Sequence, residues 1–156
     1  AELTIVGGGG DGAVALSQLL HDPRYAFVVR HEPIHDTEHL RNIYRAHDVF
    51  AMPSFLETFG IVYIEAMSQG VPVIHSRGQG IDGLFSASGI AEAVDPRDIY
   101  GMAEGIARAA DRRQSVASEC IRAASRFSWT RIARCYNELY QSIWSHATPP
   151  RPVNWT

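Results

Sequence analysis

Short apolar runs alternate with helix-periodic segments along the first two-thirds of the chain, and this alternation narrows the fold more than any other property. Leu3, Thr4, Ile5 and Val6 form an apolar run that ends in a glycine cluster, and a helical pattern follows over residues 13–20 until Asp22 and Pro23 break it. Residues 25–29 are β-branched and aromatic, which predicts a second strand. Asp36 suits the N-cap of a helix running to about residue 46, with Leu40, Ile43 and Tyr44 on one face. Residues 49–52 predict a third strand stopped by Pro53, residues 61–69 a helix that Gly70 can end, residues 71–74 a fourth strand and residues 89–94 a short fifth. Such repeats predict an α/β fold, a parallel sheet with helices on both faces. Ligands of such sheets sit beyond the carboxyl ends of the strands, so the residues just after each strand are the ones to inspect.

From residue 95 onward the pattern is helical. Asp95 with Pro96 reads as a cap and a first-turn proline for a helix to about residue 110. A second helix is expected over residues 114–126, and a third from after Ser128 to about Trp144. Ile99, Met102, Ala103 and Ile106 share one face and are expected to pack in the core. The remainder, residues 147–156, carries Pro149, Pro150 and Pro152 and is expected to be a loose tail beside a single domain over residues 1–146.

Composition excludes several classes. At 156 residues, 46 % hydrophobic and 20 % charged, the chain can bury a core without staples. Its net charge is −3, and all 14 cations are Arg, with no Lys, so no basic surface for nucleic acid is expected. No apolar run approaches the roughly eighteen residues of a membrane span. The opening residues show no signal peptide. Cys120 and Cys135 have no metal or redox spacing and read as reduced thiols on helices of a cytoplasmic protein, one that at most associates peripherally with the inner membrane face.

The chemistry concentrates in residues 53–67, which leave a strand, turn, and enter a helix near Gly60. The first N–H groups of that helix have no intrahelical partner, and together with the helix dipole they favour an anion such as a diphosphate. Gly60 has no Cβ, so a phosphate can approach the backbone there. Glu65 lies five residues on, roughly 7 Å along the axis. Its side chain leans back toward the helix start, where a carboxylate can accept bonds from the two vicinal hydroxyls of a ribose. Glu57 precedes the helix, on the other side of the phosphate position, and can bind sugar hydroxyls or stabilise a cationic sugar. Phe59, Val62, Tyr63 and Ala66 fall at core-facing spacing. Read singly, each glutamate is more often a solvated turn or surface-helix residue, since most Glu are exposed.

Two other strings compete. Residues 7–12 match GxGxxG after a strand and before a helix, with Glu32 twenty residues beyond Gly12, so an NAD(P)-binding domain is an alternative. Residues 31–35 match HExxH, but Pro33 in the middle forbids the helix that would bring both His to one zinc ion, so no metal is expected. His47 and His75 flank strands and read as structural or near-site residues rather than catalysts.

The run from Glu57 through Gly60 to Glu65, Ala66 and Met67 resembles the motif of the group 1 family of retaining glycosyltransferases with the GT-B fold. The flanks are similar too: residues 46–54 resemble the family's strand into a Pro-Ser turn, residues 69–74 its next strand, and residues 127–133 the start of its last helix. The resemblance covers residues 3–140 and implies a Rossmann-like domain, the C-terminal, donor-binding half of such an enzyme. It implies that Glu57 contacts the donor sugar, that the backbone of Phe59, Gly60, Ile61 and Val62 contacts the diphosphate, and that Glu65 binds the ribose. The loop 76–83 resembles the glycine-rich loop beside the donor, with Arg77 a candidate phosphate contact beside Gly78 and Gly80; Asp82 stands where many members carry Glu. Residues 30–32 fall where the family places the nucleobase.

The implied reaction is transfer of a hexosyl group from a nucleotide-diphosphate sugar to a hydroxyl acceptor, a sugar or lipid-linked sugar, without cofactor or metal. The string over residues 78–83 is similar to a branch active in bacterial surface-polysaccharide synthesis. Leu3 to Val6 corresponds to the family's second strand, so its first strand, with an Arg and a Lys that clamp the diphosphate, has no counterpart. The expectation is therefore a part of a longer protein whose acceptor site lies elsewhere, or a Leu3 to Val6 strand re-paired against residues 49–52. A non-catalytic module that binds a nucleotide-sugar without turnover is a further alternative.

Overall fold

The computed structural model describes residues 1–7, 12–31, 33–34, 36–85 and 89–146. The expected tail and the centre of the glycine run therefore lie outside the described residues. The chain divides into two compact units, Ala1–Ala46 and His47–Thr156.

In the first unit, β1 (Leu3–Val6) pairs in parallel with β2 (Val28–His31), Leu3 opposite Val28. The connection holds α1 (Ala13–Leu20) and a 3-10 turn over Pro23–Tyr25. The second strand starts three residues later than expected. Asp22 accepts the Arg24 N–H at 2.9 Å and Pro23 opens the turn, which carries the chain through Tyr25 before it can extend. The helix α2 (Thr37–Arg45) begins as expected: the Asp36 carboxylate accepts the Glu38 N–H at 3.0 Å. Tyr44 is the buried residue of its apolar face.

In the second unit, β3 (Phe50–Ala51), β4 (Val73–Ser76) and β5 (Ala91–Val94) form a parallel sheet in the order β3-β4-β5. All four residues of β4 are buried. Side chains alternate between two covered faces. Ile74 and Val94 face Met102 and Ala109 of α4 (Ile99–Ser125). On the other face, Phe50 and His75 pack edge-on against Tyr63 of α3 (Ile61–Ser68), ring centroids 5.8 and 6.2 Å apart. The strand β4 starts two residues later than expected, because the Val71 N–H is taken by Ala66 at the end of α3 and Pro72 has no N–H to give. The last helix, α5 (Trp129–His146), starts after Ser128 as expected.

Three expectations for the helical half are corrected. Asp98, not Asp95, caps α4, accepting the Gly101 N–H at 2.9 Å; Asp95 instead accepts the Arg97 N–H within a turn that contains Pro96. The two helices expected, one from the Asp95 cap to about residue 110 and one over residues 114–126, are one helix of 27 residues, since no Gly or Pro interrupts residues 106–125 and Arg108 and Arg112 both pair with Glu92. The core face of α4 is Met102, Gly105 and Ala109, whereas Ile99 is 72 % exposed and Ala103 and Ile106 are also exposed. A Cβ at Gly105 would stand 3.1 Å from Val94 Cγ1, so small residues let the helix approach the sheet and thereby set its rotation. Leu3–Val6 pairs with β2, and β3 pairs with β4, so the described strands form one sheet in each unit.

Candidate functional site

The site lies in the second unit, where the chain leaves β3. Ser54 N–H bonds Met52 O at 2.9 Å and Ser76 Oγ donates to Ser54 O at 2.5 Å, which ties the turn to the carboxyl end of β4. Irregular chain follows until α3 begins at Gly60, held at φ +78° with no side-chain cap. Tyr63, one turn on, is 1 % exposed and donates its hydroxyl to Met52 O at 2.5 Å. Burial, and secondarily the charge of Glu57, push this phenol up to about 12, so it stays a neutral donor.

The start of α3 is open. The Tyr63 N–H bonds Gly60 O at 3.0 Å, but the N–H groups of Gly60, Ile61 and Val62 have no acceptor among the described residues. Just before them, Glu57 folds back on its own turn: Oε1 accepts the Thr58 N–H at 2.9 Å and the Phe59 N–H at 3.3 Å. The Phe59 donor assigned by resemblance to the diphosphate is thus engaged by Glu57. Phe59 is half-buried, its ring 5.7 Å from that of Phe127 between centroids, and Phe85 packs on the Phe127 ring at 5.8 Å. Glu65 is exposed on α3, and its carboxylate has no partner among the described residues.

The loop after β4 meets this turn. The Asp82 carboxylate accepts the Gly78 N–H at 2.6 Å and the Asp82 N–H bonds Gln79 O at 3.0 Å, which closes the loop on itself. Gly80, at φ +56°, lies against the turn so closely that a Cβ would stand 3.0 Å from Phe59 O and 3.1 Å from Glu57 Cγ. Between these glycines, Gln79 reaches across: its side-chain oxygen accepts the Glu57 N–H at 2.7 Å and its Nε2 donates to Phe55 O at 2.8 Å. The Arg77 backbone N–H extends the ladder to Val94 O at 2.8 Å, and its exposed guanidinium donates to Ala93 O at 3.4 Å.

Glu57, Phe59, Gly60 and Gly80 are therefore brought together, Ile61, Val62 and Glu65 follow on the same helix, and Gly78 shapes the adjoining loop. Gln79 and the shaping role of Asp82 were missed; a lone amide between two glycines was the available signal. His75 is buried, its Nδ1 3.1 Å from Ser76 O, in keeping with a structural role. No cluster of three or more His, Cys, Asp or Glu able to hold a metal occurs among the described residues. Glu32, His35 and residues 8–11, which carry the competing strings, lie outside them. Cys120 is buried and Cys135 exposed, both free. A cavity of about 300 Å³ beside β5 is lined by His75, Asp82, Phe85, Glu92 and Arg112 and includes neither Glu57 nor Glu65.

The family model described as "Glycosyl transferases group 1" matches residues 1–112. The chain belongs to this family. Among the relatives of this chain are the D-inositol 3-phosphate glycosyltransferases of Corynebacterium kroppenstedtii, 35 % identical over 77 % of the chain, and of Mycolicibacterium smegmatis, 35 % identical over 78 %. The chain spans only 26 % and 29 % of their respective lengths. Among solved structures, the sucrose-phosphate synthase of Thermosynechococcus elongatus matches with a TM-score of 0.77 at 27 % identity, over 94 % of the chain and 39 % of that protein. Anabaena HepE in complex with UDP shares the fold, with a TM-score of 0.73 at 24 % identity over 91 % of the chain and 41 % of that protein. The fold is the Rossmann-like α/β type of GT-B glycosyltransferases, as expected. No helix among the described residues is long and apolar enough to cross a membrane.

Proposed function

We propose that this glycosyltransferase chain holds the donor, a nucleotide-diphosphate hexose, for transfer of the hexosyl group to a hydroxyl acceptor. The observation that carries the reading is the open start of α3, with three N–H groups that have no acceptor among the described residues, flanked in sequence by Glu57 and Glu65. These donors and the helix dipole receive the diphosphate and stabilise the charge that grows on it as the bond to the sugar breaks. Glu65, whose carboxylate has no partner among the described residues, accepts from the ribose hydroxyls. Glu57, on exchanging its own backbone donors for substrate, binds the sugar or the cationic charge that develops on it. Arg77 is poised to leave the Ala93 carbonyl for a phosphate oxygen. Neither metal nor cofactor enters the proposal.

The named transferase activity of the relatives and the UDP bound to HepE support a donor of this class. The acceptor is a sugar or lipid-linked sugar, in keeping with surface-polysaccharide synthesis at the cytoplasmic membrane face. Calorimetric titration with UDP-, GDP- and ADP-sugars tests the reading. One of these sugars is expected to bind and to be displaced by its free nucleotide. Tight NAD binding, abolished by Gly9→Val, would overturn it in favour of a dinucleotide site.

A further inference from the structure

We propose that Gln79 is a positioning residue for Glu57. This rests on the reading of Glu57 as the sugar-binding acid. Glu57 stands in the irregular stretch between β3 and α3, where no strand ladder or helix fixes the backbone. Its carboxylate bonds within its own turn and so cannot anchor that turn to the rest of the unit. The Gln79 amide does: it accepts from the Glu57 N–H at 2.7 Å and donates to Phe55 O at 2.8 Å, which spans the residue in between as a neighbouring strand would. Only a primary amide offers both a donor and an acceptor at that reach, which explains a long polar side chain between two glycines.

The amide in turn stands on a fixed base. The Asp82 N–H holds Gln79 O, the Asp82 carboxylate holds the Gly78 N–H, and Ile81 is fully buried beneath the loop. Gly80 lies so close to the turn that a Cβ there would stand 3.0 Å from Phe59 O and 3.1 Å from Glu57 Cγ, and the amide next to it reaches the turn directly. The chain of contacts thus runs from the buried end of β4, through the loop, to the backbone of Glu57. Loss of the amide frees the Glu57 backbone while leaving the start of α3 to its own lock, the Tyr63 hydroxyl on Met52 O. The sugar end of the site is therefore affected and the diphosphate end spared.

The test uses the 156-residue chain with UDP and UDP-glucose as probes, read by calorimetry. Gln79→Met, close in volume and unable to make either bond, is expected to lower UDP-glucose affinity roughly tenfold and UDP affinity less than twofold. Glu57→Gln is expected to do the same, and Gln79→Met added to Glu57→Gln is expected to change UDP-glucose affinity less than twofold further, because the two residues act as one unit. Gln79→Glu keeps the acceptor for Glu57 N–H, loses the donor to Phe55 O, and gives the same readout if Gln79→Met melts below the assay temperature. A Gln79 variant that retains wild-type UDP-glucose affinity, loses both ligands equally, or adds its full effect to Glu57→Gln overturns the positioning role alone. A Glu57→Gln chain with unchanged UDP-glucose affinity overturns the reading of Glu57 and the positioning role with it.

Discussion

A Cβ on Gly60 would come within 2.3 Å of Cε2 of Tyr63. The residue that opens α3 and the residue one turn later therefore fix each other. Gly60 is free to take φ +78° and to lie flat against the ring, and the ring is free to stay because its hydroxyl is bound to Met52 O. This lock sets the direction of the three open N–H groups, so the helix start is shaped by β3 and by a buried phenol, with no side-chain cap.

Substitution at Gly60 should be costly. Gly60→Ala pays roughly 1–2 kcal/mol for the left-handed backbone. The clash adds to this, since Tyr63 is buried and bonded and cannot swing aside. A destabilisation above about 2 kcal/mol in urea unfolding is expected, with nucleotide affinity reduced in the fraction that remains folded. Wild-type stability in Gly60→Ala would mean that the ring and the turn are not in contact.

The Tyr63 phenol gives a pH signature. Its value is raised from 10.0 to about 12, chiefly by burial, so the folded state holds the proton more tightly than the unfolded chain. The stability from this group is fully present below about pH 10 and is lost as pH rises from 10 toward 12. Tyr63→Phe should remove that alkaline loss while costing about 0.5–1.5 kcal/mol at neutral pH for the bond to Met52 O. Chemical denaturation at pH 8 and pH 11 checks both signs.

Much of this site was legible in the sequence, and the reasons differ by residue. Gly60 and the helix after it could be read from a glycine before an apolar period, because local chemistry alone decides them. The Asp36 cap could be read for the same reason. The Gln79 bridge could not, since it joins residues 22 and 24 positions apart and depends on how β3 and β4 lie side by side. The core face of α4 was misread because large apolar residues were counted, whereas Gly105 and Ala109 decide which side can come close to the sheet. The expected break in α4 after residue 110 does not occur, and Arg108 and Arg112 on either side of it both pair with Glu92, a partner that local sequence cannot supply.

Glu65 offers the cleanest test of the ribose reading, since it is exposed, its carboxylate has no partner among the described residues, and its removal should leave the fold unchanged. Glu65→Ala is expected to weaken binding of nucleotide-sugar and of free nucleotide by the same roughly 1–3 kcal/mol, the scale of hydrogen bonds to a charged group. Equal affinities of mutant and wild type, measured by calorimetry, would sink the assignment.

The last expectation concerns turnover. The chain spans 26 % and 29 % of the lengths of two relatives, so much of what those enzymes use is not supplied by the matched region. Three N–H groups and Arg77, already engaged at Ala93 O, make a modest seat for a diphosphate. Such a seat should hold a nucleotide-sugar with a Kd on the order of 0.1–1 mM, about −5.5 to −4.1 kcal/mol. Transfer also needs an acceptor oxygen held against the sugar, and that placement accounts for much of an enzyme's rate. The purified 156-residue chain should therefore bind donor and transfer it at close to the background rate in a radiolabelled-donor assay. Repeated turnover onto an added sugar acceptor would instead mean that the groups around Glu57 and the loop 77–83 orient the acceptor as well as the donor.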